Sequence, residues 1–70
     1  MESRKDKFKR LAEKRTTEVL EKLRILGNLS NKSSYDYNSE DISKIIGAIE
    51  DQLRIVRSKF KTIRQKDFKL

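Results

Sequence analysis

Four cations in the last third of the chain recur at the spacing of one helical face. They are separated by three, four and three residues, the repeat that keeps side chains on one side of an α-helix. Such a row of cations can contact successive phosphates of a nucleic-acid backbone. Each contact releases condensed counterions, which favours binding. The row, which we call the basic ridge, consists of Arg54, Arg57, Lys61 and Arg64. It predicts a phosphate-binding surface.

A second interpretation of these cations is purely structural. Cations near a helix C-terminus oppose the negative end of the helix dipole. That effect needs two or three charges, whereas residues 54–70 carry seven cations and one carboxylate. Both interpretations stay open. If the surface binds nucleic acid, we expect further cations to contribute, namely Lys59, Lys66, Lys5 and Lys9.

The charge of the whole chain is unevenly distributed. The 70 residues carry a net charge of +7, made up of +4 in residues 1–15, −3 in residues 16–53 and +6 in residues 54–70. If the two ends of the chain lie side by side, one end of the molecule carries about +10. We expect a nucleic acid as partner. An acidic protein is the alternative, because charge alone does not distinguish the two.

Some cations have a carboxylate four residues before them, which favours an ion pair along a helix. The predicted pairs are Asp6/Arg10, Glu18/Lys22, Glu40/Lys44 and Glu50/Arg54.

Residue types that support catalysis are scarce. The chain has no His and no Cys, so Ser and Thr lack the usual base and a transition metal lacks its usual ligands. Adjacent carboxylates, as at Glu50 and Asp51, point about 100° apart on a helix and form no facing pair. We expect no enzyme, no catalytic residue, no metal and no cofactor.

The apolar residues do not form a membrane-spanning segment. No stretch approaches the roughly 20 apolar residues that a span needs, and residues 1–6 lack the apolar core of a signal peptide. We expect a cytoplasmic protein that does not bind membranes.

Two long helices must position these charges. Apolar residues after residue 39 are spaced by alternating steps of four and three, which predicts a helix over about 39–66. Asn38 is its expected N-cap, and Tyr37 and Ile42 occupy the positions of a hydrophobic staple. We call the repeating residues the apolar seam: Ile42, Ile46, Ile49, Leu53, Val56, Phe60 and Ile63.

A less regular repeat predicts the first helix over about 4–26. Ser3 is the expected N-cap, and Gly27 stands where a left-handed C-terminal cap is common. A loop over 27–38 follows, and we expect it to be ordered, with Leu29 and one or both tyrosines packed on the helix ends. Alternatively, its polar side chains form a partner surface. The candidates for that surface are Asn28, Ser30, Asn31 and Tyr35.

Together these elements predict an all-α fold, a single antiparallel hairpin domain over residues 1–70. Two helices in contact leave part of each apolar face in water, so a lone hairpin is expected to be marginally stable. Two hairpins packed face to face bury the remaining apolar surface. We therefore expect a homodimeric four-helix bundle.

Four short motifs stand out along the chain. They are Phe8-Lys9-Arg10-Leu11-Ala12, Leu23-Arg24-Ile25-Leu26-Gly27-Asn28-Leu29-Ser30-Asn31, Tyr35-Asp36-Tyr37 and Asp41-Ile42-x-Lys44-Ile45. These motifs resemble a group of short uncharacterised bacterial proteins associated with Firmicutes genomes and mobile elements, and the likeness covers residues 8–60. The resemblance implies a bacterial host, and no activity, cofactor or functional residue.

Overall fold

A computed structural model describes residues 1–61 as an all-α chain, which confirms the predicted class. It contains helix α1 (Arg4–Gly27), a short 3-10 helix (Asn28–Ser30) and helix α2 (Ser39–Lys61), and the described residues contain no strand. The chain divides into two units, of which the first spans Met1–Asp36 and the second begins at Tyr37, so each α-helix belongs to its own unit. The predicted end of the second helix at residue 66 lies outside the described residues.

Helix α1 begins at the predicted residue. Ser3 has an extended backbone, with φ −76° and ψ 168°, and its Oγ accepts a hydrogen bond from the backbone N–H of Asp6 at 3.0 Å. Its carbonyl accepts the N–H of Lys7 at 2.9 Å. Asp6 also places a carboxylate in the first turn, where it opposes the positive end of the helix dipole. The predicted N-cap at Ser3 is confirmed.

The end of α1 differs from the prediction. The backbone of Gly27 has a right-handed helical conformation, with φ −61° and ψ −23°, and no residue of the described chain has a positive φ. The helix continues through Gly27 and tightens into the 3-10 helix, where the N–H of Asn28 is shared between the carbonyls of Ile25 and Leu26. The predicted left-handed cap is wrong, because this tightening satisfies terminal carbonyls without a left-handed residue.

The segment between the helices is organised by Asn31. Its side-chain Oδ1 accepts hydrogen bonds from the N–H of Ser33 at 3.0 Å and from the Ser33 hydroxyl at 2.6 Å. Its carbonyl accepts the N–H groups of Ser34 at 3.1 Å and Tyr35 at 3.0 Å. The irregular segment therefore spans residues 31–38 and starts later than the predicted loop.

Helix α2 begins with a reciprocal pair of hydrogen bonds. The Oδ1 of Asn38 accepts the N–H of Asp41 at 2.8 Å, and the carboxylate of Asp41 accepts the N–H of Asn38 at 3.1 Å. Two of the N–H groups that a helix start leaves without partners are satisfied in this way. The N-cap at Asn38 is confirmed. Tyr37, which precedes it, is half-buried, and its staple contact with Ile42 stays a prediction.

Apolar side chains remain accessible to solvent along α2. Within residues 1–61 no side chain is fully buried. Five members of the apolar seam are between 40% and 58% exposed, and Ile49 is half-buried. The single chain thus presents apolar surface that is suited to packing against another element. The five are Ile42, Ile46, Leu53, Val56 and Phe60.

Candidate nucleic-acid interface

Three members of the basic ridge lie on α2 within the described residues. At about 100° per residue, Arg54, Arg57 and Lys61 fall within an arc of about 60°, and they span about 10 Å along the helix axis. All three are exposed. The fourth member, Arg64, and the further candidate Lys66 lie outside the described residues. The helical conformation thus gathers three of the predicted cations on one face.

Lys59 does not belong to that face. It lies about 140° to 160° around α2 from the three cations of the basic ridge. One helical surface holds residues three and four apart, whereas Lys59 is two residues from Arg57 and Lys61 and five from Arg54. The contribution of Lys59 to nucleic-acid binding stays a prediction, and it would come from another face of α2.

The three ridge cations differ in their electrostatic surroundings. Arg54 forms an ion pair with Asp51, one turn earlier on the same helix, and both side chains are largely exposed. No carboxylate of residues 1–61 lies within ion-pair distance of Arg57 or Lys61. These two cations are therefore available to an external phosphate without breaking an internal pair.

Lys5 and Lys9 form a smaller cationic surface on α1. They lie about 40° apart around the helix, and both are exposed. Across the described chain, neither lysine is within ion-pair distance of a carboxylate. The nearby Arg10 is engaged differently, since its Nε and Nη2 donate to the two carboxylate oxygens of Glu2 at 2.8 Å and 3.1 Å. These α1 cations belong to the first unit of the chain, and the basic ridge belongs to the second.

Two arginines form ion pairs with carboxylates other than the predicted ones. Arg10 pairs with Glu2 instead of Asp6, and Arg54 pairs with Asp51 instead of Glu50. A bidentate contact explains the first choice, because the planar guanidinium matches both oxygens of a carboxylate. A carboxylate three residues away is as accessible on a helix as one four away, which permits the second.

The predicted lysine pairs do not form. Neither Lys22 nor Lys44 lies within ion-pair distance of a carboxylate in the described part of the chain. An exposed lysine gains little from a single contact and loses rotamer entropy when it is held in place. The sequence-based pairs omitted three carboxylates that form ion pairs, Glu2, Glu21 and Asp51, of which the three-residue spacing identifies Glu21 and Asp51.

Two arginine pKa values are raised by these contacts. The hydrogen bond with Glu2 raises the pKa of Arg10, and the hydrogen bond with Glu21 raises the pKa of Arg24. Both hydrogen bonds stabilise the charged form of a guanidinium group that is already protonated at physiological pH. These two positive charges therefore do not vary near neutral pH.

The candidate partner surface between the helices is only partly available. Asn28 and Ser30 lie in the 3-10 helix, and the Oδ1 of Asn31 is engaged by Ser33. Tyr35 is 48% exposed and Leu29 is 47% exposed, so neither is packed away. About half of the Leu29 side chain is covered in the single chain, so its packing on a helix end stays a prediction. The side chain of Asn31 organises the turn, and its contact with a partner also stays a prediction.

Two other kinds of site are not found among residues 1–61. No group of three or more acidic, His or Cys side chains is placed to hold a metal ion. Neither α1 nor the described length of α2 combines the length and the apolar character that crossing a membrane requires.

Comparison of the chain with protein-family models, curated proteins and solved structures gives no match. The resemblance to short bacterial proteins therefore remains a prediction from the sequence motifs.

Proposed function

We propose that the chain is a small cytoplasmic nucleic-acid-binding protein, with an accessory or regulatory role, that contacts phosphates through the basic ridge. The observation that supports this most is the charge of α2 beyond Asp51. Residues 52–61 hold four cations and no carboxylate, and two cations on one face, Arg57 and Lys61, form no ion pair with the described residues 1–61. An exposed, uncompensated row of cations is what binding to a phosphate backbone requires.

Within this function the cations have different roles. Arg57 and Lys61 bind phosphates directly, and Arg54 joins them once a phosphate replaces Asp51. Lys5 and Lys9 add a second contact region, and with them the contacts number enough for a steep dependence on salt. Because phosphates carry no sequence information, we propose that these contacts do not depend on the base sequence.

We also propose that the protein acts as a homodimer. In this arrangement α1 and α2 form an antiparallel hairpin, and two hairpins form a four-helix bundle. The exposed apolar seam supports this, because burying apolar area is the main favourable term in helix association. Such a dimer carries two copies of the cationic surface.

An electrophoretic mobility shift at several salt concentrations tests the nucleic-acid proposal. The variant R57Q/K61Q removes two cations from the basic ridge. The matched control, K22Q/K44Q, removes two cations that lie outside the predicted binding residues and so changes net charge equally. We expect the ridge variant to lower the slope of log affinity against log salt by about two, and the control to change it by much less.

Two outcomes contradict the proposal. Equal weakening by both variants means that net charge alone, and not the basic ridge, attracts the nucleic acid. No shift of any probe at about 50 mM salt, where phosphate contacts are strong, favours the alternative function, an adaptor that docks an acidic protein through the same cations.

A further inference from the structure

The charges of α2 are separated along its length. The first part, Ser39–Asp51, carries four carboxylates and one lysine, whereas residues 52–61 carry four cations and no carboxylate. The change of sign falls between Asp51 and Arg54, which form an ion pair with each other. One end of the helix is therefore acidic and the other basic, and the apolar seam runs along both.

The change of sign coincides with the middle of the described seam. From Ile42 to Phe60 the seam has its midpoint at residue 51. Two copies of α2 in antiparallel orientation about this point place Ile42 opposite Phe60, Ile46 opposite Val56 and Ile49 opposite Leu53. They also lay the acidic part of each helix along the basic part of the other. A parallel pair places like charges together over its whole length, which is unfavourable.

We infer that the apolar seam of α2 docks against the α2 seam of a second copy of this chain in antiparallel orientation. This rests on the proposed homodimer and specifies its interface. The charges of α1 favour the second copy as the occupant. Residues 4–15 carry seven cations and two carboxylates, so an antiparallel hairpin sets them beside the basic part of α2. The carboxylates of the second copy compensate that repulsion.

The arrangement separates the two cationic ends of the dimer. Each end of the bundle then carries one set of basic residues, together with the acidic part of α2 from the other copy. A nucleic acid can meet either end, and the local positive potential is lower than in a parallel dimer.

Distances between spin labels on the two copies test the orientation. The chain has no Cys, so a single introduced cysteine carries one nitroxide per copy. In an antiparallel dimer the Ser43→Cys labels are 16 residues apart along the axis, about 24 Å. The Gln52→Cys labels lie near the midpoint, and the spacing of packed helices is about 10 Å, so their signals broaden strongly. Circular dichroism confirms that each labelled variant keeps its helix content.

We expect strong dipolar broadening for the label at Gln52 and a distance above about 20 Å for the label at Ser43. Strong broadening at Ser43 shows a parallel pair and overturns the inference, and so does the absence of dipolar coupling at Gln52. The spin-label distances are measured without nucleic acid. A failed mobility shift with antiparallel distances therefore contradicts only nucleic-acid binding, and parallel distances with a normal shift contradict only this interface.

Discussion

Single residues set the ends of both helices. Ser3 and Asn38 each use a side-chain oxygen to accept a backbone N–H three residues later. Gly27 closes α1 in a right-handed conformation, although glycine is the residue best suited to a left-handed cap. Glycine at this position therefore contributes flexibility to the unfolded chain and no conformation that alanine lacks.

Replacing Gly27 by alanine is expected to stabilise the protein by up to about 1 kcal/mol, because alanine is the better helix former. A Cβ at Gly27 meets no heavy atom within 4 Å. The G27A change is measured by thermal unfolding, and G47A in the middle of α2, where a Cβ also has open space, is the reference. A thermal midpoint that is lowered by G27A but not by G47A contradicts the right-handed conformation of Gly27.

Asn38→Ala is expected to destabilise the protein by about 1 kcal/mol, since it removes the cap that accepts the N–H of Asp41. Circular dichroism and thermal unfolding measure the loss. Ser39→Ala, one residue later and inside the first turn, is the control and should change stability by a few tenths of a kcal/mol at most. Equal effects of the two changes mean that the reciprocal pair contributes nothing.

At the scale of elements, the segment between the helices is held from within. Asn31 accepts three of its four turn hydrogen bonds from backbone N–H groups, so the turn forms without help from a distant residue. The two tyrosines that follow differ, since Tyr35 is 48% exposed and Tyr37 is half-buried. The contribution of this segment to stability should therefore come mainly from Tyr37.

Tyr37→Ala is expected to lower the free energy of unfolding by about 1 kcal/mol, in proportion to partial burial of an aromatic ring. Tyr35→Ala should lower it less. Thermal unfolding of both variants makes the comparison, and binding of nucleic acid is measured in parallel. If Tyr35→Ala leaves stability unchanged but abolishes binding, the segment is a partner surface. If neither variant changes stability, the segment is only a tether.

At the scale of the whole molecule, stability is expected to depend on protein concentration. Leu53 is 57% exposed in the single chain, and alanine on an exposed helix surface is slightly favourable. Leu53→Ala should nevertheless destabilise the protein by about 2–5 kcal/mol, because in the proposed dimer the side chain belongs to the core. The thermal midpoint of the native protein should rise with its concentration.

The control for Leu53→Ala is Ile55→Ala, since Ile55 is 49% exposed and lies on the other side of α2. It should change stability little. Sedimentation supplies the independent measurement, and a stably folded monomer at micromolar concentration contradicts the homodimer.

The sequence by itself determined which residues form helices and where those helices begin. Apolar residues at alternating steps of three and four lie on one face only in an α-helix. An Asn or Ser before the helix supplies an N-cap whose hydrogen-bond partner is three residues away. Because both signals are local, Ser3 and Asn38 could be identified without any tertiary information. The common face of Arg54, Arg57 and Lys61 follows from the same periodicity.

Only the three-dimensional structure decided how the charged and turn-forming groups are used. An arginine on a helix can reach carboxylates at several spacings with nearly equal energy, so geometry selected Glu2 for Arg10 and Asp51 for Arg54. Gly27 tolerates either hand of the backbone, and the hydrogen bonds of Asn28 fixed the right-handed one. The spacing of residues restricts what a side chain can contact, and small energy differences among those contacts determine which cations stay available to a partner.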